Sequence, residues 1–190
     1  HALTESPHTS RRAHHILPTH RAPDRAYQAA KGKSKVGTTG KGIGPTYSDK
    51  AARIGLRVGD IQDNYEEKYE ALKNRHLQIL KDLNYTDFDI TEEEKKWLEG
   101  VDYMRKFHLT DTEIEINRYL SEGKKVLAEG AQGSLLDIDH GTYPFVSSSS
   151  TTSGGVCTGL GVAPNKLDHI FGIFKAYSTR VGSGPFPVEL

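Results

Sequence analysis

Apolar residues recur at helical spacing through the middle of the chain. Ile61, Tyr65, Tyr69, Leu72, Ile79 and Leu83 fall three, four or seven apart, which predicts an amphipathic helix over 61–83. Thr91 followed by Glu94 has the form of a capping box. Trp97, Leu98, Val101 and Met104 give the helix that follows its buried side. The run Glu92-Glu93-Glu94-Lys95-Lys96 reads as its solvated face. A further helix is expected around 111–121, with Gly123 as its stop. Upstream, 45–54 predicts a short helix with Pro45 near its start. Residues 11–31 look helical in part, but Pro18 and Pro23 argue against one continuous helix. Residues 1–10 are rich in Ser, Thr and His, show no apolar period, and are expected to be loose.

The pattern changes after Gly123. Lys125-Val126-Leu127-Ala128-Glu129 reads as a short buried strand, and Ile170 to Ala176 as a second. The first runs into the tight turn Gly130-Ala131-Gln132-Gly133 and a short helix at Ser134 to Asp137; the second runs into the loop Ser178 to Gly184. Tyr143 to Val146 reads as a strand or extended loop, and Val156 to Leu160 as a helix start. Strand, glycine turn and helix in that order predict an α/β fold with its site at the carboxyl ends of the strands. Four stretches result: an N-terminal helical segment 1–34, a glycine-rich segment 35–60, a helical subdomain 61–123 and an α/β portion 124–190.

A chain of 190 residues suffices for one domain with a core. Lys plus Arg and Asp plus Glu both total 25, so no net charge favours nucleic acid or an anionic membrane surface. No aromatic-interleaved basic patch supports a nucleic-acid partner either. Cys157 is the single cysteine, which precludes an internal disulfide and points to a reducing, cytoplasmic compartment. No apolar run approaches the roughly 20 residues of a membrane span. The chain begins at His1, its one methionine is Met104, and it stops after Pro185-Phe186-Pro187, so an internal fragment of a longer protein is expected.

The densest chemistry lies in 37–53. Gly37, Gly40, Gly42 and Gly44 surround the hydroxyls of Thr38 and Thr39, and Lys41, Lys50 and Arg53 follow. Glycines let backbone N–H groups approach a ligand, and successive N–H groups form anion-binding concavities. Lys50 and Arg53 are three apart and share a helix face, which suits a phosphate. The segment is neither a Walker A loop, since Tyr27 stands where its first glycine belongs, nor a dinucleotide fingerprint, since Pro45 follows Gly44. Gln132 offers donors and an acceptor suited to a purine edge, or else stabilises its turn. The hydroxyl run Ser147 to Ser153 is a linker, or an anion contact at a helix start. Asp137, Asp139 and His140 invite a metal or general-base reading; alternation with Leu136 and Ile138 favours carboxylates that orient the loop. Five of the nine histidines lie in residues 1–20, but His14 and His15 are adjacent and no Cys or carboxylate cluster completes a shell, so no metal ligand is assigned. Cys157 reads as a small buried residue.

Three ordered stretches resemble the adenylosuccinate synthetase family: Gly42-Ile43-Gly44-Pro45-Thr46-Tyr47-Ser48-Asp49-Lys50-Ala51-Ala52-Arg53, residues 129–144 (EGAQGSLLDIDHGTYP) and residues 175–187 (KAYSTRVGSGPFP). The resemblance covers nearly all of the chain. It implies a P-loop-NTPase-like, mostly parallel sheet with helices, here a partial domain with a helical insertion. It implies a GTP-dependent ligase that joins inosine monophosphate (IMP) to L-aspartate, giving adenylosuccinate with Mg²⁺ and GTP as cofactors. In the family's chemistry the purine O6 takes the γ-phosphoryl group and the amine of aspartate displaces it. Lys50 matches the family's signature active-site lysine. Thr38, Thr39, Arg53, Gln132 and Ser147 match positions that contact IMP, with Ser147 standing where the family has threonine. Arg53 matches an arginine that reaches the partner's site across a homodimer. The family's phosphate loop Gly-Asp-Glu-Gly-Lys-Gly-Lys and its catalytic histidine stretch Gly-His-Asn-Ala-Gly-His do not occur in this sequence. The chain by itself is therefore expected to be inactive. The competing expectation is a stand-alone, non-catalytic nucleotide-binding module.

Overall fold

The computed structural model describes residues 8–30, 32, 39–180 and 184–186. The chain divides into two compact units, His1–Asp111 and Thr112–Leu190. The class is α/β, with six α-helices and one small parallel sheet among the described residues.

In the first unit, β1 (His8–Ser10) pairs in parallel with β2 (His108–Thr110), His8 opposite His108. The following residues run antiparallel to 56–59: the amide of His15 donates to Leu56 O at 2.9 Å and that of Val58 to Ala13 O at 2.8 Å. Helices α1 (Pro18–Ala30), α2 (Ile43–Ala52), α3 (Tyr65–Asp82) and α4 (Thr91–Met104) complete the unit, with a 3₁₀ turn at Val58–Gln62. The larger core joins Leu17, Leu56, Ile61, Tyr65, Tyr69, Leu72 and Val101, with Trp97 and Met104 packed against it. Tyr69 and Trp97 stack at 4.9 Å between ring centroids, so α3 and α4 meet through aromatic faces. A second cluster sets Ala22 and Ala26 of α1 against Leu80 of α3.

The predicted α2 and α3 form close to their expected bounds. Four local expectations change. Residues 8–10 are not loose, because β2 supplies a backbone partner. Pro23 lies inside α1, which runs unbroken from Pro18; Pro18 occupies the first turn, where a missing N–H is harmless, so Pro23 forfeits one internal hydrogen bond without ending the helix. The capping box is not formed: Asp89 Oδ1 accepts from the Thr91 amide at 2.9 Å and from its hydroxyl at 2.7 Å, while Glu94 binds the Tyr69 hydroxyl and, at 2.6 Å, Lys73. Leu98 is exposed rather than part of the α4 core face.

In the second unit, α5 (Thr112–Ser121) ends before Gly123, whose φ is 76°. A 3₁₀ turn at Ser134–Leu136, α6 (Gly154–Leu160) and a 3₁₀ turn at Pro164–Lys166 follow. Neither predicted strand forms. Residues 125–129 and 170–176 join no ladder among the described residues, and Leu127, Phe171, Ile173 and Phe174 are all more than four-fifths exposed. A strand needs a neighbour for its backbone groups, and an apolar sequence alone provides none. Among the described residues, no helix is long and apolar enough to cross a membrane.

Candidate functional site

The glycine-rich segment is anchored from below. Gly42 has φ 82°, and a Cβ there would lie 2.8 Å from His20 Cβ and 3.0 Å from the His20 carbonyl carbon. Its amide donates to Asp24 Oδ2 at 2.9 Å. This glycine therefore permits close approach of the segment to α1. From it α2 starts, and Thr46 closes the first turn by donating its hydroxyl to Gly42 O at 2.8 Å.

Behind α2 lies a buried trio that the sequence reading missed. Oδ2 of Asp49 (α2) accepts from Nε2 of His20 (α1) and Nε2 of His76 (α3), each at 2.9 Å. All three residues are buried, and the two imidazole centroids are 4.6 Å apart. Nδ1 of His20 accepts the Leu17 amide at 2.8 Å, which fixes its proton on Nε2. Nδ1 of His76 lies 2.7 Å from the Thr19 hydroxyl. Burial pushes the Asp49 carboxyl up, but hydrogen bonds from His20 and His76 outweigh it and hold the group well below the ordinary value. Burial also lowers His20, against the opposing pull of Asp49. A signal did exist: His76 sits in the α3 stripe between Leu72 and Leu80, a core position for a polar residue.

Two imidazoles and a carboxylate whose ligand atoms lie within 4.8 Å of one another resemble a metal site. The hydrogen bonds argue otherwise. A cation at Nε2 of His20 would drive its proton to Nδ1, against the Leu17 N–H. Nor does the donor set fit Mg²⁺, which takes oxygen ligands in an octahedron. The trio is read as a tie among α1, α2 and α3.

On the outer side of α2 stand the expected cations. Lys50 is exposed, its Nζ 5.6 Å from the centroid of the Tyr47 ring. Arg53 follows the helix with φ 64°, exposed, its amide donating to the carbonyls of Asp49 and Lys50. Thr39 is exposed in the loop before α2, and Thr38 lies outside the described residues. The structure thus brings Thr39, Lys50 and Arg53 into one unit, with Asp49 beside Lys50 turned inward.

In the second unit the organiser is Asp137, 1% exposed. Its Oδ1 accepts from the amides of Asp139 (3.0 Å) and His140 (3.1 Å), and its Oδ2 from those of Thr151 (2.7 Å) and Thr152 (3.3 Å). Burial raises its pKa, but these four backbone donors prevail and lower it to about 2. A carboxylate so engaged is a structural anchor, as the alternation with apolar neighbours suggests. It holds the turn carrying Gln132 to the hydroxyl run: the Ser147 amide donates to Leu136 O at 2.8 Å, the Thr151 hydroxyl to Gly133 O at 2.8 Å. Gln132 is exposed at φ 65°, and Ser147 Oγ lies 2.9 Å from Ser149 Oγ. Cys157 is half-buried and unbridged.

Comparison with known proteins agrees with the motifs. The family model for adenylosuccinate synthetase matches residues 3–190. The adenylosuccinate synthetase of Bacteroides thetaiotaomicron is 64% identical over the 190 residues, covering 100% of this chain and 45% of that protein. That of Porphyromonas gingivalis is 59% identical over the same span, again 45% of its length. A solved structure of fully ligated adenylosuccinate synthetase from Plasmodium falciparum superposes with a TM-score of 0.82 at 40% identity, covering 93% of this chain and 42% of that one. The chain thus spans under half the length of the relatives it matches.

Proposed function

The chain belongs to the adenylosuccinate synthetase family, and from that premise we propose that it supplies the inosine monophosphate pocket of a GTP-dependent ligase joining that nucleotide to L-aspartate. The observation that carries the reading is the division of α2: Asp49 is tied inward to His20 and His76, while Lys50 and Arg53 stand exposed with no ion pair to a described carboxylate. Lys50 on a helix held by a buried hydrogen-bond network and Arg53 at that helix's C-terminal cap form a pre-organised phosphate contact. Thr38 and Thr39 add hydroxyls to the phosphate. Gln132 reads the purine edge, and Ser147 adds a hydroxyl that its tie to the Leu136 carbonyl keeps in register. In this reading Lys50 is the active-site lysine, Arg53 serves the partner's site in a cytoplasmic homodimer, and the reaction consumes GTP with Mg²⁺. No residue of this chain is assigned to either of these. The 190 residues by themselves carry out no turnover.

Calorimetric titration of inosine monophosphate into the purified chain, with GTP as comparator, tests the reading. Saturable binding of the monophosphate that weakens in Arg53→Ala and Gln132→Ala is expected. Tight GTP binding, or adenylosuccinate formation above a heat-inactivated control, contradicts it.

A further inference from the structure

Two pairs of imidazoles stand in contact among the described residues, each with ring centroids 4.6 Å apart. In one, His20 and His76, both nitrogens of both rings are engaged by Leu17, Thr19 and Asp49. The other, His8 with His108, is exposed on the small sheet of the first unit, its rings tilted at 46°. The backbone sets its spacing. His8 and His108 are direct partners in the parallel register, and neighbouring strands lie about 4.8 Å apart. Leu109, the next residue of β2, is 7% exposed and belongs to the larger core. Side chains alternate along a strand, so Leu109 pins His108 to the opposite, outward face. Ser10 and Thr110 are the next partners on that face. The two histidines are 100 residues apart in sequence, so no local pattern joins them. Two imidazoles so held form a bite for one metal ion. A metal that takes two ring nitrogens at about 2.1 Å with a right angle between them sets the ring centres roughly 4.5 Å apart, and a tetrahedral angle widens this to about 5.2 Å. The observed 4.6 Å matches the right angle. Right-angled nitrogen ligation belongs to the tetragonal ions Cu²⁺ and Ni²⁺.

We propose that His8 and His108 bind a late first-row divalent cation of the Cu²⁺ and Ni²⁺ class, with water completing its coordination. The ion ties β1 to β2 and so closes a long stretch of chain. It binds the folded pair alone and stabilises the first unit by mass action. The site shares no residue with the proposed nucleotide pocket.

Ni²⁺ is the probe, titrated by calorimetry into the chain purified without an affinity tag. Saturable binding is expected. The second imidazole acts as an intramolecular ligand, so His8→Gln and His108→Gln each weaken binding on the order of a hundredfold. His169→Gln, which alters an exposed histidine of the other unit, changes nothing. Cu²⁺ binds more tightly than Ni²⁺, and Mg²⁺, which takes oxygen ligands, does not compete. Ni²⁺ raises the thermal midpoint of the parent and leaves that of His108→Gln unmoved. Circular dichroism verifies that these exposed substitutions leave the helices intact. The unaltered chain gives a second readout that needs no variant: paramagnetic Ni²⁺ broadens the ring resonances of His8 and His108 together. The proposal is overturned if Ni²⁺ does not saturate, or if either His8→Gln or His108→Gln binds it like the parent. It is equally overturned if one of the two rings is broadened without the other, since the ion then sits on a lone histidine.

Discussion

Nε2 of His76, on α3, lies 2.9 Å from Oδ2 of Asp49, on α2. The same oxygen accepts from His20 of α1, so a single buried carboxylate oxygen ties three helices. Asp49→Ala leaves two buried N–H donors without an acceptor. Each such orphan costs about 1–3 kcal/mol, so a loss of about 2–6 kcal/mol is expected. Urea denaturation followed by circular dichroism measures it. A midpoint equal to that of the parent would mean the trio is not a tie.

Acid is expected to destabilise the first unit in two stages. Burial against the Trp97 ring pushes His15 from its ordinary 6.5 down to about 4, with Asp60 opposing and His14 adding to the drop. His20 is lowered in the same direction. The unfolded chain takes up protons on these rings below about pH 6.5, and the folded chain does not. Stability therefore falls as pH drops from 6.5, and the His15 contribution levels off near 4, amounting on the order of 3 kcal/mol. The carboxylates act below that. Asp49 is held below its ordinary 3.8, so the stability it contributes is present above 3.8 and lost as pH falls through its folded value, and Asp137 does the same in the second unit. Thermal melts from pH 7 to pH 4 trace the first stage, and their continuation below the folded carboxylate values traces the second. His15→Phe should flatten the first.

Asp137→Asn replaces one of two accepting oxygens with a donor. Two of four backbone amides, from Asp139 and His140 or from Thr151 and Thr152, then lose their acceptor. The expectation is local: faster hydrogen exchange at these amides, with α3 and its neighbours unchanged. Loss of protection confined to α1–α4 would contradict the anchor.

Gly42→Ala meets two obstacles, a positive φ and a Cβ 2.8 Å from the side chain of His20. Strain of about 1–3 kcal/mol is expected. The substitution should also weaken any phosphate binding at Lys50 and Arg53, because the segment must lift away from α1. Thermal stability and anion affinity measured on one preparation test the coupling. A stable variant with normal affinity would mean the close approach is dispensable.

Local rules reached far into this molecule. The α3 period, Pro45 at the start of α2 and Gly123 behind α5 each act within a few residues, and the helices formed where these features place them. The three family stretches and the candidate cations could likewise be read along the chain. Pairing decided the rest. The segments 125–129 and 170–176 have strand composition, but backbone hydrogen bonds must come from another strand, and among the described residues none provides them. β1 was unreadable because its partner lies 100 residues away in sequence. Asp49 sits inside the most conspicuous motif of the chain, yet its role depends on His20 and His76, 29 and 27 residues distant. The sequence by itself determined which residues are candidates. Only the tertiary structure decided that Asp49 faces inward while Lys50, its neighbour, faces solvent, because helix orientation is settled by what the other helices bury.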